Sequence, residues 1–162
     1  MFRITVMNEQ PLAKAALYQR PGWFTRHIFN RGVSVLTKVG VGVLGARTLE
    51  VVGRTSGQPR RTPVNLLTID GRRYLVAPRG ETEWVRNVRA AHGHLVLILG
   101  RRRTEWVAVE VRDDAKSDIL RQYLRRWKFE VGVFFEGVGP DSTDEQLAAI
   151  APRHPVFELG AV

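Results

Sequence analysis

Arg54, Arg60 and Arg61 stand around a bend rich in glycine and proline, in the run Gly53-Arg54-Thr55-Ser56-Gly57-Gln58-Pro59-Arg60-Arg61-Thr62-Pro63-Val64. Gly57 and Pro59 supply the bend. Ser56 offers a hydroxyl, and the Ser56-Gly57 amides offer a nest for an anion. Guanidinium groups suit phosphate and carboxylate, which they grip with two parallel hydrogen bonds. If the bend leads into a strand, Arg60 and Arg61 point to opposite sides, so only one of them serves the same pocket as the bend. Taken alone, the run also reads as a solvated hairpin tip. No Gly-Lys-Ser/Thr follows, and the glycine spacing and the lack of a following helix exclude a dinucleotide fingerprint.

A second run begins with Ala77-Pro78-Arg79-Gly80 and continues through Trp84, Asn87 and Ala90. Trp84 and Asn87 are three apart, so one helical turn places them on one face. An indole plane beside an amide that both donates and accepts can hold a flat heterocycle. The alternative is a core tryptophan and an asparagine that satisfies nearby backbone. Other chemistry finds little support. The chain has no cysteine, so disulfides, thiolate metal sites and cysteine nucleophiles are excluded. His92 and His94 lack a neighbouring cluster of further ligands and read as a surface turn, with no metal expected. Gly-x-Ser-x-Gly does not occur.

The elements that must position these residues fall into three zones of one expected domain, 1–162. In the N-terminal segment, 1–45, residues from 11 to about 44 read as helical. Phe24, Ile28, Val35, Val39 and Val43 fall near helical spacing, and Arg20, Arg26, Arg31 and Lys38 line the other face. Such a helix lies against a barrel or rests on an anionic bilayer. Residues 46–112 read as short strands. Asp70-Gly71 marks a tight hairpin between Val64–Ile69 and Arg72–Ala77. Leu95–Leu99 reads as a strand buried on both faces, and Val107, Val109 and Val111 share one face of the next, opposite Trp106 and Ala108. Many short strands with tight turns indicate a barrel or sandwich. Residues 113–162 hold C-terminal helices and a last strand near Val156–Leu159. Asp113 or Asp114 can cap a helix whose core face is Ile119, Leu120, Tyr123, Leu124 and Trp127. Ser142 and Glu145 have capping-box spacing before Leu147. Phe134 and Phe135, between glycines, suit a mobile wall over a pocket, so Phe134 is a substrate-binding candidate.

The charge balance fits an anionic partner. The 162 residues carry 25 Lys plus Arg against 16 Asp plus Glu, a formal +9. Nucleic acid, an acidic membrane face or a polyanionic cofactor would all be attracted. Aromatic residues do not interleave with the basic ones as a nucleic-acid stacking platform requires, so nucleic acid is not expected. No apolar run approaches the ~20 residues of a membrane span. Met1 to Gln10 lacks the basic start and apolar stretch of a secretory signal. The expected location is the cytoplasm, with peripheral membrane contact through the N-terminal helices as the alternative.

Together the two runs resemble the deazaflavin-dependent nitroreductase family. The family pattern is Gly-Arg-basic-Ser/Thr-Gly, two residues, Arg, two residues, Pro, then a Gly-bounded hairpin, then Trp, two residues, Asn, two residues, Ala. The resemblance spans roughly residues 47–112. It implies a mainly β protein with flanking helices (α+β), a split β-barrel of about six strands with the N-terminal helices packed on it. It also implies a reductase that uses coenzyme F420, a deazaflavin with a phosphodiester tail carrying glutamates. FMN is the alternative cofactor. The small-molecule substrate implied is a flat apolar electrophile such as a quinone, which receives a hydride.

By the same resemblance Arg60, three residues before Pro63, takes the anionic tail, with Arg54, Ser56 and Gly57 around it. Arg61 then faces elsewhere. Arg79, after Ala77 and Pro78, meets the phosphate, while Trp84 and Asn87 flank the ring. Two positions depart from the pattern. Thr55 replaces a basic residue, and Asn65 stands where drug-activating relatives carry a substrate-lining tyrosine. Asn65 is therefore a substrate-side candidate, and nitroimidazole reduction is not expected. A proton could come from water or Tyr123. A competing reading is a non-enzymatic carrier of a lipid or haem-like ligand on the same fold.

Overall fold

The computed structural model describes residues 45–162. The helix expected over 11–44, with its alternative membrane contact, lies outside the described residues. Among those described, six strands form: β1 (Ala46–Val52), β2 (Pro59–Ile69), β3 (Arg72–Val76), β4 (His94–Leu99), β5 (Arg102–Glu110) and β6 (Val156–Ala161). They close into a barrel in the order β1-β2-β3-β6-β5-β4, with every neighbouring pair antiparallel. Closure removes the open sheet edges that would otherwise invite other chains to pair. The C-terminal strand is inserted between β3 and β5, a placement that no local pattern announced.

The strand pleat sorts apolar side chains into two cores. Leu49, Val51, Val64, Leu75, Leu95, Leu97, Ala108, Phe157 and Leu159 fill the interior. Helix α1 (Glu83–Ala90) adds Trp84, Val85 and Val88 to that interior. On the outer wall, Leu67, Tyr74, Val76 and Val156 meet Ile119, Leu120, Tyr123, Leu124 and Trp127 of helix α2 (Ser117–Val131). Leu147 and Ile150 of helix α3 (Asp144–Ile150) complete that layer. Leu49, Leu75, Leu120, Leu124 and Leu147 are fully buried, each contributing roughly 1.5–3 kcal/mol of transfer free energy.

Several local expectations shift. In β4 only Leu95 and Leu97 are buried, while Val96, Ile98 and Leu99 are half-buried, because one face of the strand lies on the outer surface of the barrel. In β5 the interior takes Trp106 and Ala108, and Val109 is exposed. Neither Asp113 nor Asp114 caps α2. Asp113 sits in a short 3-10 turn, Asp113–Ala115, and the N-cap position is Lys116. The Lys116 ammonium is buried and needs acceptors, so the Asp113 carboxylate takes it at 2.6 Å and the Ala151 carbonyl at 3.1 Å. The capping box of α3 lies one residue later than expected. Thr143 Oγ1 accepts from the Gln146 amide, and Gln146 Oε1 accepts from the Thr143 amide. Ser142 Oγ accepts from the Gly139 amide instead.

Phe134 does not form a mobile wall. It lies in a 3-10 turn, Gly132–Phe135, and is 8% exposed, packed with fully buried Phe135 in the outer-wall core. Burial of two phenyl rings against α2 and α3 outweighs the freedom of the flanking glycines.

Two glycines show how the hairpins are built. Asp70 and Gly71 both have positive φ, 48° and 79°, as a two-residue turn that follows the strand twist requires. Gly93 has φ of 85° where α1 hands the chain to β4. A Cβ there would lie 2.2 Å from the Ala108 carbonyl oxygen. At Gly71 nothing lies within 4 Å of a Cβ. Gly71→Ala should therefore cost about 1 kcal/mol from strain alone. Gly93→Ala should cost about 3 kcal/mol or more, because a strand must move. Urea midpoints at equal m-value would separate the two, and equal losses would refute the packing role of Gly93.

Candidate functional site

The bend between β1 and β2 closes on itself. The Gly53 amide donates to the Gln58 carbonyl at 2.8 Å, and the Gly57 amide donates to the Gly53 carbonyl at 2.8 Å. The Gln58 amide reaches Ser56 Oγ at 3.3 Å. Gly57 has φ of 66°, so its part is to turn the chain. Its amide is consumed by the turn, which corrects the expected Ser56-Gly57 nest. Gly53 is needed for room, since a Cβ would lie 2.8 Å from Ser56 Oγ and 3.1 Å from Arg60 Cγ.

Past the bend, register decides where the arginines go. Arg60 pairs with Val51, whose side chain is buried in the barrel, so Arg60 rises from the interior face at the barrel mouth. Arg61 pairs with Glu50 on the outer face, and its Nε donates to Glu50 Oε2 at 2.7 Å. Arg103 donates to the other oxygen of Glu50, whose side chain is only 11% exposed. The opposite facing expected of Arg60 and Arg61 is what the register gives, although both border the cleft.

That cleft has a volume of about 670 Å³ between the bend, the start of β2 and α1. Of the residues expected in the site, Arg54, Ser56, Arg60, Trp84 and Asn87 line it together. Gly53, Thr55, Pro59, Arg61, Thr62 and Glu83 also line it. Trp84 is 6% exposed and tilts at 55° against Phe157, with centroids 5.7 Å apart. Asn87 Oδ1 accepts from the Arg54 amide at 3.1 Å and from Arg54 Nη1 at 3.0 Å. Its carbonyl end ties the bend to α1, leaving only the amide end for other contacts. Helix α1 is anchored in turn by Arg89, whose guanidinium forks onto Glu81 and Glu110. Hydrogen bonds to Glu110 and then Glu81 raise its pKa further above the ordinary arginine range.

The remaining expected residues stand elsewhere. Pro63 and Asn65 lie on the outer face of β2, by parity with Arg61. Asn65 is buried beside Tyr123 and Glu130 of α2, so it faces the outer-wall core rather than the cleft. Tyr123 is also enclosed there, and burial pushes its hydroxyl well above the usual tyrosine range. Phe134 shares that core. The substrate-side placing of Asn65 and Phe134 is thus corrected, since contacts to α2 claim both. Ala77, Pro78 and Arg79 lead from β3 into α1 without lining the cleft. The Ala77 amide donates to the Pro155 carbonyl at 2.8 Å. Buried His154, stacked on Phe135 with ring centroids 4.2 Å apart, lies beside the backbone of Ala77 and Pro78. Burial draws its pKa down to about 4, so it is neutral near pH 7. Neither Glu83 nor His154 was legible beforehand, because each acts through partners distant in sequence.

Residues 27–136 match the model of the family described as F420H(2)-dependent quinone reductase. No curated protein matches the chain. Among solved structures, the F420-H2 dependent reductase FDR-A is 16% identical, with 72% of this chain and 94% of that one covered at a TM-score of 0.49. A chain described as a domain-swapped dimer is 18% identical over 85% and 97%, with a TM-score of 0.51. The protein Atu2129 from Agrobacterium tumefaciens str. C58, of unknown function, is 17% identical over 80% and 53%, with a TM-score of 0.50. The last two likenesses concern the barrel fold. No helix among the described residues is long and apolar enough to cross a membrane.

Glu50 supplies a pH test of the outer half of this arrangement. Hydrogen bonds from Arg103 and then Arg61 hold its carboxyl below the ordinary value of 4.5, against the upward push of burial. A carboxyl depressed on folding contributes stability that is present above its unfolded pKa and lost as pH falls through its folded one. Urea midpoints of the wild type should therefore drop below about pH 4.5 more steeply than those of Glu50→Gln. Superimposable acid limbs would show that Glu50 stores no such stability.

Proposed function

The chain belongs to the F420H(2)-dependent quinone reductase family, and from that premise we propose that its cleft holds the anionic tail of F420 and presents the ring to a flat apolar electrophile such as a quinone. The family makes the chain an oxidoreductase that uses F420. The donor set suits a polyanion. Arg60 has no hydrogen-bonding or ion-pair partner among the described residues, whereas Glu83 holds Arg54 and Glu50 holds Arg61. The Nε and Nη2 of Arg54 also meet no acceptor there. Ser56 accepts from Gln58, which leaves its hydroxyl hydrogen to donate. The volume falls within the usual range of ligand clefts, about 300–1,000 Å³.

When bound, the deazaflavin supplies a hydride, so the protein's task is binding and orientation. Arg60 anchors the tail by charge-assisted hydrogen bonds, with Arg54 and Ser56 beside it. Gly57 and Pro63 shape the β1–β2 arm, and Ala77 and Pro78 set the entry to α1, where Arg79 stands. Trp84 and the free amide end of Asn87 flank the ring, and the indole excludes water from one side of it. Tyr123 is enclosed in the other core, so a proton for the reduced substrate comes from solvent.

The partnerless guanidinium of Arg60 carries this reading. Arg60→Glu should weaken F420 binding by about a hundredfold or more in a fluorescence titration, since both the contact and the sign of the field change. Wild-type binding should weaken as salt rises. Arg60 is exposed, so the variant should unfold at the same urea concentration as wild type. Undiminished binding by a folded Arg60→Glu would remove the cleft from consideration.

A further inference from the structure

The cleft that gathers arginines also holds a carboxylate. Glu83 is the one acidic side chain among the described residues that line it. A carboxylate beside an anion site repels the ligand, so Glu83 must act on something other than the tail. Its partner is Arg54, at 2.7 Å from Oε2 to Nη1, while its other oxygen accepts from Arg86 at 3.2 Å.

Arg54 is held twice, by groups of different kinds. Asn87 is buried and neutral, and grips both the amide and Nη1 of Arg54. That grip survives the arrival of an anion. Glu83 is charged, and its side chain is 69% exposed, so its pair with Arg54 is screened by solvent. Another anion can take its place. The carboxylate is nevertheless tethered one helical turn from Asn87, so its local concentration at Arg54 is high.

We propose that Glu83 is a specificity-determining residue, a built-in counter-ion that occupies Arg54 and yields it to an anion tethered to a ligand already held at Arg60 rather than to a small free anion. The inference rests on the reading of the cleft as the site of the F420 tail. A tail already anchored at Arg60 delivers its next charge to Arg54 from a tether of its own, so the two tethered anions compete evenly. A free phosphate or pyrophosphate must compete from bulk solution, and Glu83 keeps it out. Screened ion pairs of this kind are worth up to about fivefold in binding.

The test is F420 fluorescence titration with inorganic pyrophosphate as competitor, on wild type, Glu83→Gln, Glu83→Asp and Arg60→Gln. Glu83→Gln should make pyrophosphate about fivefold more effective and change F420 affinity by less than about twofold. Glu83→Asp keeps the charge and should stay near wild type. Pyrophosphate competition that is unchanged or weaker in Glu83→Gln overturns the counter-ion role. An equal gain for both ligands overturns the selectivity. If Arg60→Gln binds F420 like wild type, the cleft reading itself fails. If it binds weakly while Glu83→Gln has no effect, only the role of Glu83 fails.

Discussion

The side-chain carbonyl of Asn87 holds the site together. Two donors from Arg54 converge on Oδ1, one from the backbone and one from the guanidinium. The bend between β1 and β2 and helix α1 come from different parts of the chain, and the other polar link described between them is the solvent-screened Arg54–Glu83 pair. Without that oxygen, the Arg54 amide would lose its acceptor, at about 1–3 kcal/mol for an unsatisfied group. This tie fixes the bend against a helix that Trp84, Val85 and Val88 already seat in the barrel interior. The fork of Arg89 onto Glu81 and Glu110 secures the same helix from its other side.

Charge in this molecule is allocated more than it is accumulated. A formal +9 says little about where an anion would bind. Pairing is more informative. Glu50 takes up Arg61 and Arg103, Glu158 takes up Arg72, and Glu83 takes up Arg54. Among the described arginines that line the cleft, Arg60 is left over, on the face of β2 that opens into the barrel mouth. Parity along the strand and the position of two carboxylates thus single out one of the three guanidinium groups there.

Local chemistry was legible in the sequence where it stayed local. Asp70-Gly71 formed the hairpin it announced, and the helical spacing of Ile119, Leu120, Tyr123, Leu124 and Trp127 gave the buried face of α2. The opposite facing of Arg60 and Arg61 follows from the pleat alone. Failures arose where a distant partner intervened. Asp113 was drawn from capping to pairing because Lys116 is buried against Ala151. Gly57 is the local exception, since its amide goes to the Gly53 carbonyl four residues back. Asn65 and Phe134 were claimed by α2, which a strand pattern and a glycine-rich stretch do not reveal. Glu83 looked like an ordinary acidic residue at a helix start until Arg54 was seen beside it.

The insertion of β6 between β3 and β5 also bears on how the chain reaches this form. Arg72 and Glu158, which meet across β3 and β6, are 86 positions apart. Phe157 and Leu159 fill the interior and arrive after every other strand. While the polypeptide is being synthesised, the first five strands leave the barrel open along two edges, with apolar interior side chains facing water. Such a species is exposed to mispairing until β6 has been delivered by the ribosome. Topology of this kind makes assembly slow, because the ring closes only through its longest-range contacts.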